Sequence, residues 1–471
     1  MLQNKYFPFW TFTFSVLIIL TLPTLLKDGM FMDGLLYACI SKNLSQGIGS
    51  FWFPHFSKTL YSFFDQQPPL GFWIQSLFFK IFGENIYVER LYSFSTAIIT
   101  AFLIAVLWRI VFKNEREIKK LSWLPVLFWI TIPVCFWTYS NNMLENTMGI
   151  FDLLAIIFIV QFIQRQSFLL IVLSGIFIFL ASLTKGFQGM FPLATLFFGW
   201  LIYRNISFSK MLTGTLLLSF IPVLFYFILL HNDSAYQSLT AYLNHRVINS
   251  IKNVAQDNRF YILFRLFLEL SPLILLSTII VLIAKRTQEN NTIPLKKHTS
   301  FYLLIGISAS FPLMVTREQS GFYLATSLPY YAILFAVIVT PYLSIWIEKI
   351  NVRLFSFRAF GILSVLSFAI ALTFSFSQIG KTGRDNDMIH DISLIGKIVP
   401  SGTTLGSTEK LWRDWSIQEY LIRHYYICQD NKITLANDYL LLESEEEIPI
   451  GVKTQKINIP TIKYHLFKVI K

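Results

Sequence analysis

The sequence predicts an all-α polytopic membrane protein with a small α/β segment at its carboxyl end. The 471 residues are 54% hydrophobic and only 14% charged, whereas soluble domains carry about 25% charged residues. Apolar runs close to the roughly 20 residues that cross a bilayer recur along the chain. Residues 380–471 are far more polar and show short alternating patterns typical of strands beside an amphipathic helix.

About eleven of the apolar runs are expected to be transmembrane helices. They lie at 9–26, 88–112, 122–140, 146–163, 168–183, 187–203, 211–230, 261–284, 299–315, 322–346 and 359–378. A cleaved signal peptide is the alternative for the first run, but no small-residue cleavage site follows it. The predicted membrane domain therefore covers 1–379, with outer loops at 28–87 and 231–260, and a small soluble domain covers 380–471.

Lysine and arginine residues are concentrated in four loops, at 113–120, 204–210, 285–297 and 349–358. Alternating spans put all four on one side of the membrane, and the positive-inside rule makes that side cytoplasmic. The loops at 28–87 and 231–260 and the tail are then extracytoplasmic. The four cytoplasmic loops contribute much of the formal charge of +12, where the positive-inside rule places it, so no nucleic-acid partner is predicted.

The three cysteines, Cys39, Cys135 and Cys428, show no disulfide or zinc-site spacing. A carrier built from repeated halves is not indicated either, because no internal repeat is visible. No glycine-rich phosphate loop is present, so no nucleotide site is predicted.

The segment 28–87 is a polar island between the first two apolar runs. Asp33 stands directly after the first run, at a boundary where a carboxylate meets both lipid and water. The apolar residues that follow it repeat at helical spacing, which predicts a helix along the membrane surface. Pro68 and Pro69 open a second amphipathic run, and proline suits a helix start.

Charged residues at a membrane boundary are costly and are more often functional than those of soluble proteins. Seven candidates fall on the predicted outer side: Asp33, Glu145, Lys185, His245, Arg246, Arg317 and Glu318. Cations beside acids on one face suit a phosphorylated, membrane-borne substrate, with one acid as the base. Each also has a structural explanation, such as a helix cap for Asp33, the helix dipole for Glu145, a headgroup contact for Lys185 or a solvated loop position for His245.

The sequence resembles the C-type, polyprenyl-phosphate-dependent glycosyltransferases. The resemblance rests on MDGLLYACISKNLSQG after the first span, then PPLGFWI, FGENIYVERLYS, LTKG at 183–186 and FYLATSLPYYAIL. It covers about 1–345 and is greatest for the branch of protein O-mannosyltransferases and the lipid A aminoarabinose transferase. It implies a polyprenyl-phosphate-linked sugar donor, an outward-facing cavity, and an acceptor that is a lipid A-like glycolipid, a polysaccharide or a protein.

The resemblance also implies roles for individual residues. Asp33 matches the first acidic position, the expected general base, and Glu145 matches a second position where many members have Asp. Lys185 matches the family lysine. Tyr323 matches a tyrosine near the donor phosphate.

The chain departs from the aminoarabinose branch just before the double proline. That branch has an acid and a base there, proposed for metal and phosphate binding, whereas this chain has Gln66 and Gln67. Amides can donate hydrogen bonds to phosphate but supply no charge. His245 is similar to the branch's other proposed metal ligand, with Glu318 as a second supporting residue. Without the acid we predict no tightly held metal and no cofactor, with a divalent metal as the alternative.

We therefore expect the cations to bind the donor phosphate, from Lys185, Arg246 or Arg317. The predicted location is a bacterial inner membrane with an extracytoplasmic active site. Two alternatives are a lipid or solute carrier without chemistry, and an inactive relative of the transferases.

Overall fold

The computed structural model describes residues 4–252, 258–286, 295–316, 318–444 and 447–470. The expected fold class is confirmed, with mostly helical structure and one small sheet near the carboxyl end. The α-helices are α1 Phe7–Leu26, α2 Met32–Ser45, α3 Leu70–Phe82, α4 Val88–Val111, α5 Arg116–Lys119, α6 Trp123–Thr131, α7 Pro133–Ser140, α8 Leu144–Arg165, α9 Phe168–Lys185, α10 Thr195–Tyr203, α11 Phe208–Leu230, α12 Asp233–Tyr242, α13 Asn249–Lys252, α14 Tyr261–Arg286, α15 Lys296–Ser310, α16 Leu328–Lys349, α17 Phe355–Phe376, α18 Asn386–Ile395, α19 Glu409–Trp412 and α20 Trp415–Tyr425. Short 3-10 segments cover Phe187–Ala194, Phe311–Val315 and Gly321–Thr326, and a π-helical segment covers Leu243–Ile248.

Within the described ranges, nine helices are long and apolar enough to cross a membrane. They are α1, α4, α8, α9, α11, α14, α15 with its 3-10 extension, α16 and α17. The apolar run predicted at 187–203 forms a shorter segment, in which the 3-10 turns of Phe187–Ala194 precede α10. Pro192 explains the irregular start, because it has no backbone N–H to donate within a helix.

The run predicted as one span at 122–140 is broken into α6 and α7, which meet at an angle of 80°. Pro133 causes the break, because a proline disfavours helical geometry in the preceding residue, and Ile132 is extended. The new helix start is capped from another helix, since the Val134 N–H donates to Glu269 Oε2 at 2.7 Å. The other oxygen of Glu269 pairs with Arg265 at 2.7 Å.

The chain divides into two compact units. The first contains Met1–Thr24, Gln66–Gly71 and Ser93–Gln378. Its core is formed by large buried aromatic side chains, among them Trp108, Trp129 and Tyr330, packed with aliphatic residues of the long helices. Asp152 is fully buried in α8, and in the described part of the chain neither of its carboxyl oxygens has a hydrogen-bond partner.

The second unit contains Leu25–Asp65, Phe72–Tyr92 and Ile379–Lys471. Its sheet has strand order β2-β1-β3-β5-β4. The strands are β1 Thr404–Ser407, β2 Cys428–Asp430, β3 Tyr439–Leu442, β4 Thr454–Lys456 and β5 His465–Val469. β1 is parallel to β2 and β3, whereas β5 is antiparallel to β3 and β4.

Part of the segment 28–87 and the tail share one core in this second unit. Met30 and Leu35 are buried in the same cluster as Ile392, Leu421 and Leu466. The predicted division instead placed 28–87 with the membrane domain. Most of that segment groups with the tail, and whether 380–471 folds alone stays a prediction.

Buried charges connect the segment ENIYVER, which leads into α4, to α20. Arg423 Nη2 lies 2.7 Å from Glu89 Oε2, and both side chains are almost fully buried. The same guanidinium donates to the carbonyl oxygens of Glu84 at 3.2 Å and Asn85 at 2.8 Å. Glu89 also pairs with Arg90 at 3.1 Å. Glu89 is therefore a structural charge that holds the start of α4 against α20.

Candidate functional site

A cavity of about 390 Å³ lies within the first unit. One part of its lining is polar and another is apolar. The lining residues are Gln67, Lys185, Phe187, Gln188, Phe191, Tyr242, Arg246, Val247, Ser250, Ser308, Ala309, Pro312, Leu313, Val315, Thr316, Glu318 and Tyr323. Clefts that combine an apolar wall with a few converging polar groups are the usual form of a ligand site.

Lys185 occupies the last turn of α9, and its ammonium group forms an ion pair with Glu145 Oε1. Glu145 lies in the first turn of α8, where the helix dipole favours a carboxylate. Both side chains are buried. The Lys185 ammonium also lies 5.5 Å from the ring centre of Phe322 and 5.2 Å from that of Tyr323, which adds cation–π stabilisation. The structure thus joins the second predicted acid to the predicted lysine.

The backbone at position 186 requires the glycine that ends LTKG. Its φ of 89° and ψ of −155° lie in a region essentially restricted to glycine. A Cβ atom at this position would lie 2.0 Å from the hydroxyl oxygen of Tyr242. The chain therefore turns sharply after Lys185, and α12 packs its last residue against the turn.

We expect Gly186→Ala to destabilise the protein, because the backbone conformation alone costs a non-glycine residue about 1–3 kcal/mol. The clash with Tyr242 adds to that cost. Thermal unfolding in detergent measures the loss. Gly83→Ala is the matched control, since Gly83 also has a positive φ, of 77°, but a Cβ there would meet nothing within 4 Å. A Gly186→Ala/Tyr242→Phe variant should recover part of the difference, and equal losses in the two single variants would contradict the account.

Arg246 is the second cation of the cavity. It lies in the π-helical segment Leu243–Ile248, and its Nη1 is 2.6 Å from Glu318 Oε2. Its Nη2 donates to the Tyr323 hydroxyl at 3.4 Å. Gln188 donates to the backbone oxygen of Tyr323 and, at 3.3 Å, to Thr326 Oγ1, which positions the segment that carries Tyr323.

The structure thus gathers most of the predicted site residues of the first unit. Lys185, Arg246, Glu318, Tyr323 and Gln67 line the cavity. The remaining ones are placed as follows: Glu145 is bonded to Lys185, Gln66 directly precedes Gln67, and His245 directly precedes Arg246 in the π-helical segment. Arg317 lies outside the described residues.

Asp33 belongs to the second unit, in the first turn of α2, where its side chain is half-buried. All the predicted catalytic and phosphate-binding roles stay predictions. Sequence reasoning did not select Tyr242 or Gln188, although both line the cavity. Tyr242 could have been suspected from its place in AYLNHRVINS, four residues before Arg246 and on the same helical face.

The arrangement suits an amphiphilic anion. Lys185 and Arg246 supply charged donors, and Arg geometry matches phosphate oxygens. Phe187, Phe191 and Leu313 supply an apolar wall of the same cavity. Burial raises the pKa of the Tyr242 phenol above its usual value, so this hydroxyl remains a neutral hydrogen-bond donor at physiological pH.

In the described residues no group of three or more His, Cys, Asp or Glu side chains is arranged to hold a metal ion. The positions before the double proline are the amides Gln66 and Gln67, which are poor ligands for zinc. These donors do not fit a metal site, and the prediction of a metal-independent protein awaits its test.

We expect chelation to leave activity unchanged. Purified protein treated with EDTA, then assayed for sugar transfer, should keep its turnover, and metal analysis by mass spectrometry should find less than one equivalent of any divalent ion. Activity that is lost on chelation and restored by a divalent ion would show the prediction to be wrong.

Comparison with known proteins agrees with this architecture. Residues 66–230 match the family model described as dolichyl-phosphate-mannose-protein mannosyltransferase. ArnT from Cupriavidus metallidurans, solved bound to undecaprenyl phosphate, superposes with a TM-score of 0.66 at 14% identity, covering 97% of both chains. This chain has the fold of the C-type glycosyltransferases.

A more distant match to this C-type fold comes from Archaeoglobus fulgidus. Its oligosaccharyltransferase in the apo form superposes with a TM-score of 0.57 at 14% identity, over 92% of this chain and 65% of the other. The archaeal oligosaccharyltransferase AglB, in complex with an inhibitory peptide and a dolichol-phosphate, gives 0.51 at 14% identity, over 93% and 69%. No curated protein sequence matches the chain. The predicted resemblance to the C-type superfamily is confirmed in the fold and, over residues 66–230, by the family model.

Proposed function

We propose that this protein is an integral-membrane glycosyltransferase that moves a sugar from a polyprenyl-phosphate donor to an acceptor. The observation that carries the proposal is the cavity of the first unit, where Lys185 and Arg246 share a lining with Phe187, Phe191 and Leu313. A polyprenyl phosphate has the same two parts, an anionic headgroup and a long hydrocarbon chain. The C-type fold and the family match over 66–230 support the same class.

In this mechanism the cavity binds the donor through its phosphate and the first part of its isoprenoid chain. Arg246 and Lys185 neutralise the phosphate as the bond between the anomeric carbon and the phosphate oxygen breaks, so the electron pair leaves with the phosphate. Gln67, Tyr323 and, by its place in the sequence, Arg317 add donors to the same oxygens. Glu145 holds the Lys185 ammonium in position through their ion pair.

Asp33 is assigned the role of general base from its match in sequence to the first acidic position of the C-type transferases. It takes the proton of the acceptor hydroxyl while that oxygen attacks the anomeric carbon. One displacement by one nucleophile inverts the configuration of the sugar. His245 and Glu318 act as supporting residues, and Glu318 keeps the Arg246 guanidinium oriented at 2.6 Å.

The reaction is assigned to the extracytoplasmic side, in a bacterial inner membrane. The support is the distribution of lysine and arginine in the sequence, because the predicted alternation of eleven spans puts the loops at 113–120, 204–210, 285–297 and 349–358 on the side opposite to Lys185 and Arg246. Candidate acceptors are a lipid A-like glycolipid, a polysaccharide or a protein. The structures similar in fold include a protein bound to undecaprenyl phosphate and one bound to a dolichol-phosphate and a peptide.

Transfer can be tested directly with purified protein, a panel of radiolabelled polyprenyl-phosphate sugars and an extract of outer-leaflet lipids. We expect label to move from donor to acceptor with at least one sugar, and Lys210→Met to behave as wild type. Lys210 is an exposed lysine that bonds to Gln166. Label that stays wholly in the donor across the panel would favour a carrier.

Mass spectrometry of envelope glycolipids and glycoproteins, with and without the gene, identifies the acceptor. We expect one class of glycan to disappear in the deletion strain. A strain that carries Asp33→Asn should show the same loss. An unchanged profile in that strain would favour an inactive relative with a structural role.

A further inference from the structure

Glu419 is a buried acid to which the reaction proposed above assigns no role. It lies in the middle of α20 and is 0% exposed. In the described part of the chain neither of its carboxyl oxygens has a hydrogen-bond partner. Buried acids are normally paired or hydrogen-bonded, so this one requires an explanation.

The surroundings of Glu419 are mainly acidic. The titratable and charged groups that act on it are Asp33 and Cys39 of α2, Asp414 at the start of α20, and Arg384 and Asp385 ahead of α18. Arg384 is the cation among them, but its side chain is 45% exposed and its Nε bonds to Asp385 at 3.0 Å. Two contacts on either side of Asp33 in the sequence place this part of the chain against α20: the Met30 N–H donates to the Tyr420 hydroxyl at 3.1 Å, and Cys39 donates its thiol hydrogen to the backbone oxygen of Glu419 at 3.3 Å.

Glu419 therefore differs from the other buried glutamates that the structure describes. Glu89 bonds to Arg423, Glu145 to Lys185 and Glu269 to Arg265. A carboxylate without such a partner is strongly disfavoured away from water. Burial raises the pKa of Glu419 well above its usual value, and the nearby charge of Asp33 raises it further.

Asp33 is less deeply buried than Glu419. Its side chain is half-buried and it lies in the first turn of α2, where the helix dipole favours the ionised carboxylate. When two carboxyl groups interact and one is more deeply buried, the first proton to bind goes to the buried one. Opposite environments for two nearby acids commonly separate an acid from a base.

We propose that Asp33 and Glu419 form a carboxyl pair that carries one proton, held on Glu419, which leaves Asp33 ionised. Glu419 is then a positioning residue of the proposed transferase, contributed by the tail. This inference rests on the proposed function only for the role of Asp33 as the base.

In each turnover one acceptor proton passes through Asp33 to water. Asp33 takes the acceptor proton as the new bond to the anomeric carbon forms and the phosphate leaves with the electron pair. The pair then carries two protons, and Asp33 releases one to water when the product departs. Glu419 keeps its proton throughout.

Infrared spectroscopy tests the pair without any substrate. The full chain in lipid nanodiscs is labelled with ¹³C-glutamate, which shifts glutamate carbonyl bands and leaves those of Asp152 and the other aspartates in place. We expect a protonated glutamate band at neutral pH that Glu419→Gln removes. Glu409→Gln is the matched control, because Glu409 is an exposed acid of the same unit that bonds to Arg413 at 2.8 Å, and it should keep the band.

The contribution of Asp33 is read from the pH at which the band disappears. Asp33→Asn removes one negative neighbour, so the midpoint should shift to lower pH. Absence of a protonated glutamate at neutral pH would overturn the proposal, and so would an unchanged midpoint in Asp33→Asn. If Glu419→Gln does not fold, the isotope shift still shows whether a glutamate is protonated, and the Asp33→Asn titration still shows whether Asp33 acts on it. Because no turnover is needed, failure of the transferase assay leaves this result intact.

Discussion

Replacing Lys185 with Met is expected to reduce sugar transfer about 10²–10³-fold, the loss typical of removing one donor that stabilises developing negative charge. The substitution also leaves Glu145 buried without its ion pair. Breaking one partner out of a buried pair costs about 3–5 kcal/mol. Both effects are measurable, by turnover of a polyprenyl-phosphate sugar and by thermal unfolding in the same detergent.

A double variant separates the two roles of Lys185. Lys185→Met/Glu145→Gln also removes the buried carboxylate that has lost its ion pair with Lys185. Stability should therefore recover in large part, while transfer stays low. Lys210→Met, an exposed lysine of the same unit, should change neither quantity. If Lys185→Met transferred sugar at the wild-type rate, the assignment of Lys185 to the donor phosphate would be wrong.

The second large effect is expected from Arg423→Met, which should destabilise the second unit by about 3–5 kcal/mol. The variant loses the 2.7 Å ion pair with Glu89 and the hydrogen bonds to the carbonyl oxygens of Glu84 and Asn85. Among the described residues, the ion pair that Glu89 keeps is the one with Arg90, at 3.1 Å. Hydrogen–deuterium exchange should therefore rise together in peptides covering 28–45, 84–92 and 415–425.

Arg413→Met is the matched control for this prediction. Arg413 is the same residue type in the same unit, but its side chain is 73% exposed in its pair with Glu409. Exposed pairs contribute little to stability, so this variant should exchange as wild type. Glu89→Gln/Arg423→Met should recover part of the loss. Equal exchange in the two single arginine variants would show that the buried network does not hold the unit together.

The membrane class and most of the helices could be predicted from the sequence, because helix formation and lipid exposure depend on local composition and periodicity. The same argument missed the 80° break between α6 and α7. Pro133 was visible in the sequence, but the carboxylate that caps the new helix start comes from Glu269, in a distant part of the chain. A proline inside an apolar run is compatible with either outcome until that partner is known.

The candidate site was predictable in its residue types and only partly in its pairing. Lys185 and Arg246 were selected because charges at a membrane boundary are costly. That Lys185 pairs with Glu145, and Arg246 with Glu318, depends on how α8, α9 and the π-helical segment pack. Tyr242 was missed because its one local signal, a position four residues before Arg246, is weak in a chain with many aromatic residues. Its contact with Gly186 appears only in three dimensions.

By itself, the sequence determined that this chain is a helical membrane protein with a polar tail and a small set of charges on one predicted side. It also determined the resemblance to the C-type transferases. Only the tertiary structure decided that residues 25–65 and 72–92 share a unit with the tail, and that Glu419 is buried near Asp33 with no hydrogen-bond partner for its carboxyl oxygens among the described residues. The physical reason is that span formation depends on neighbours along the chain. The charge state of a buried acid instead depends on groups brought to it from hundreds of residues away.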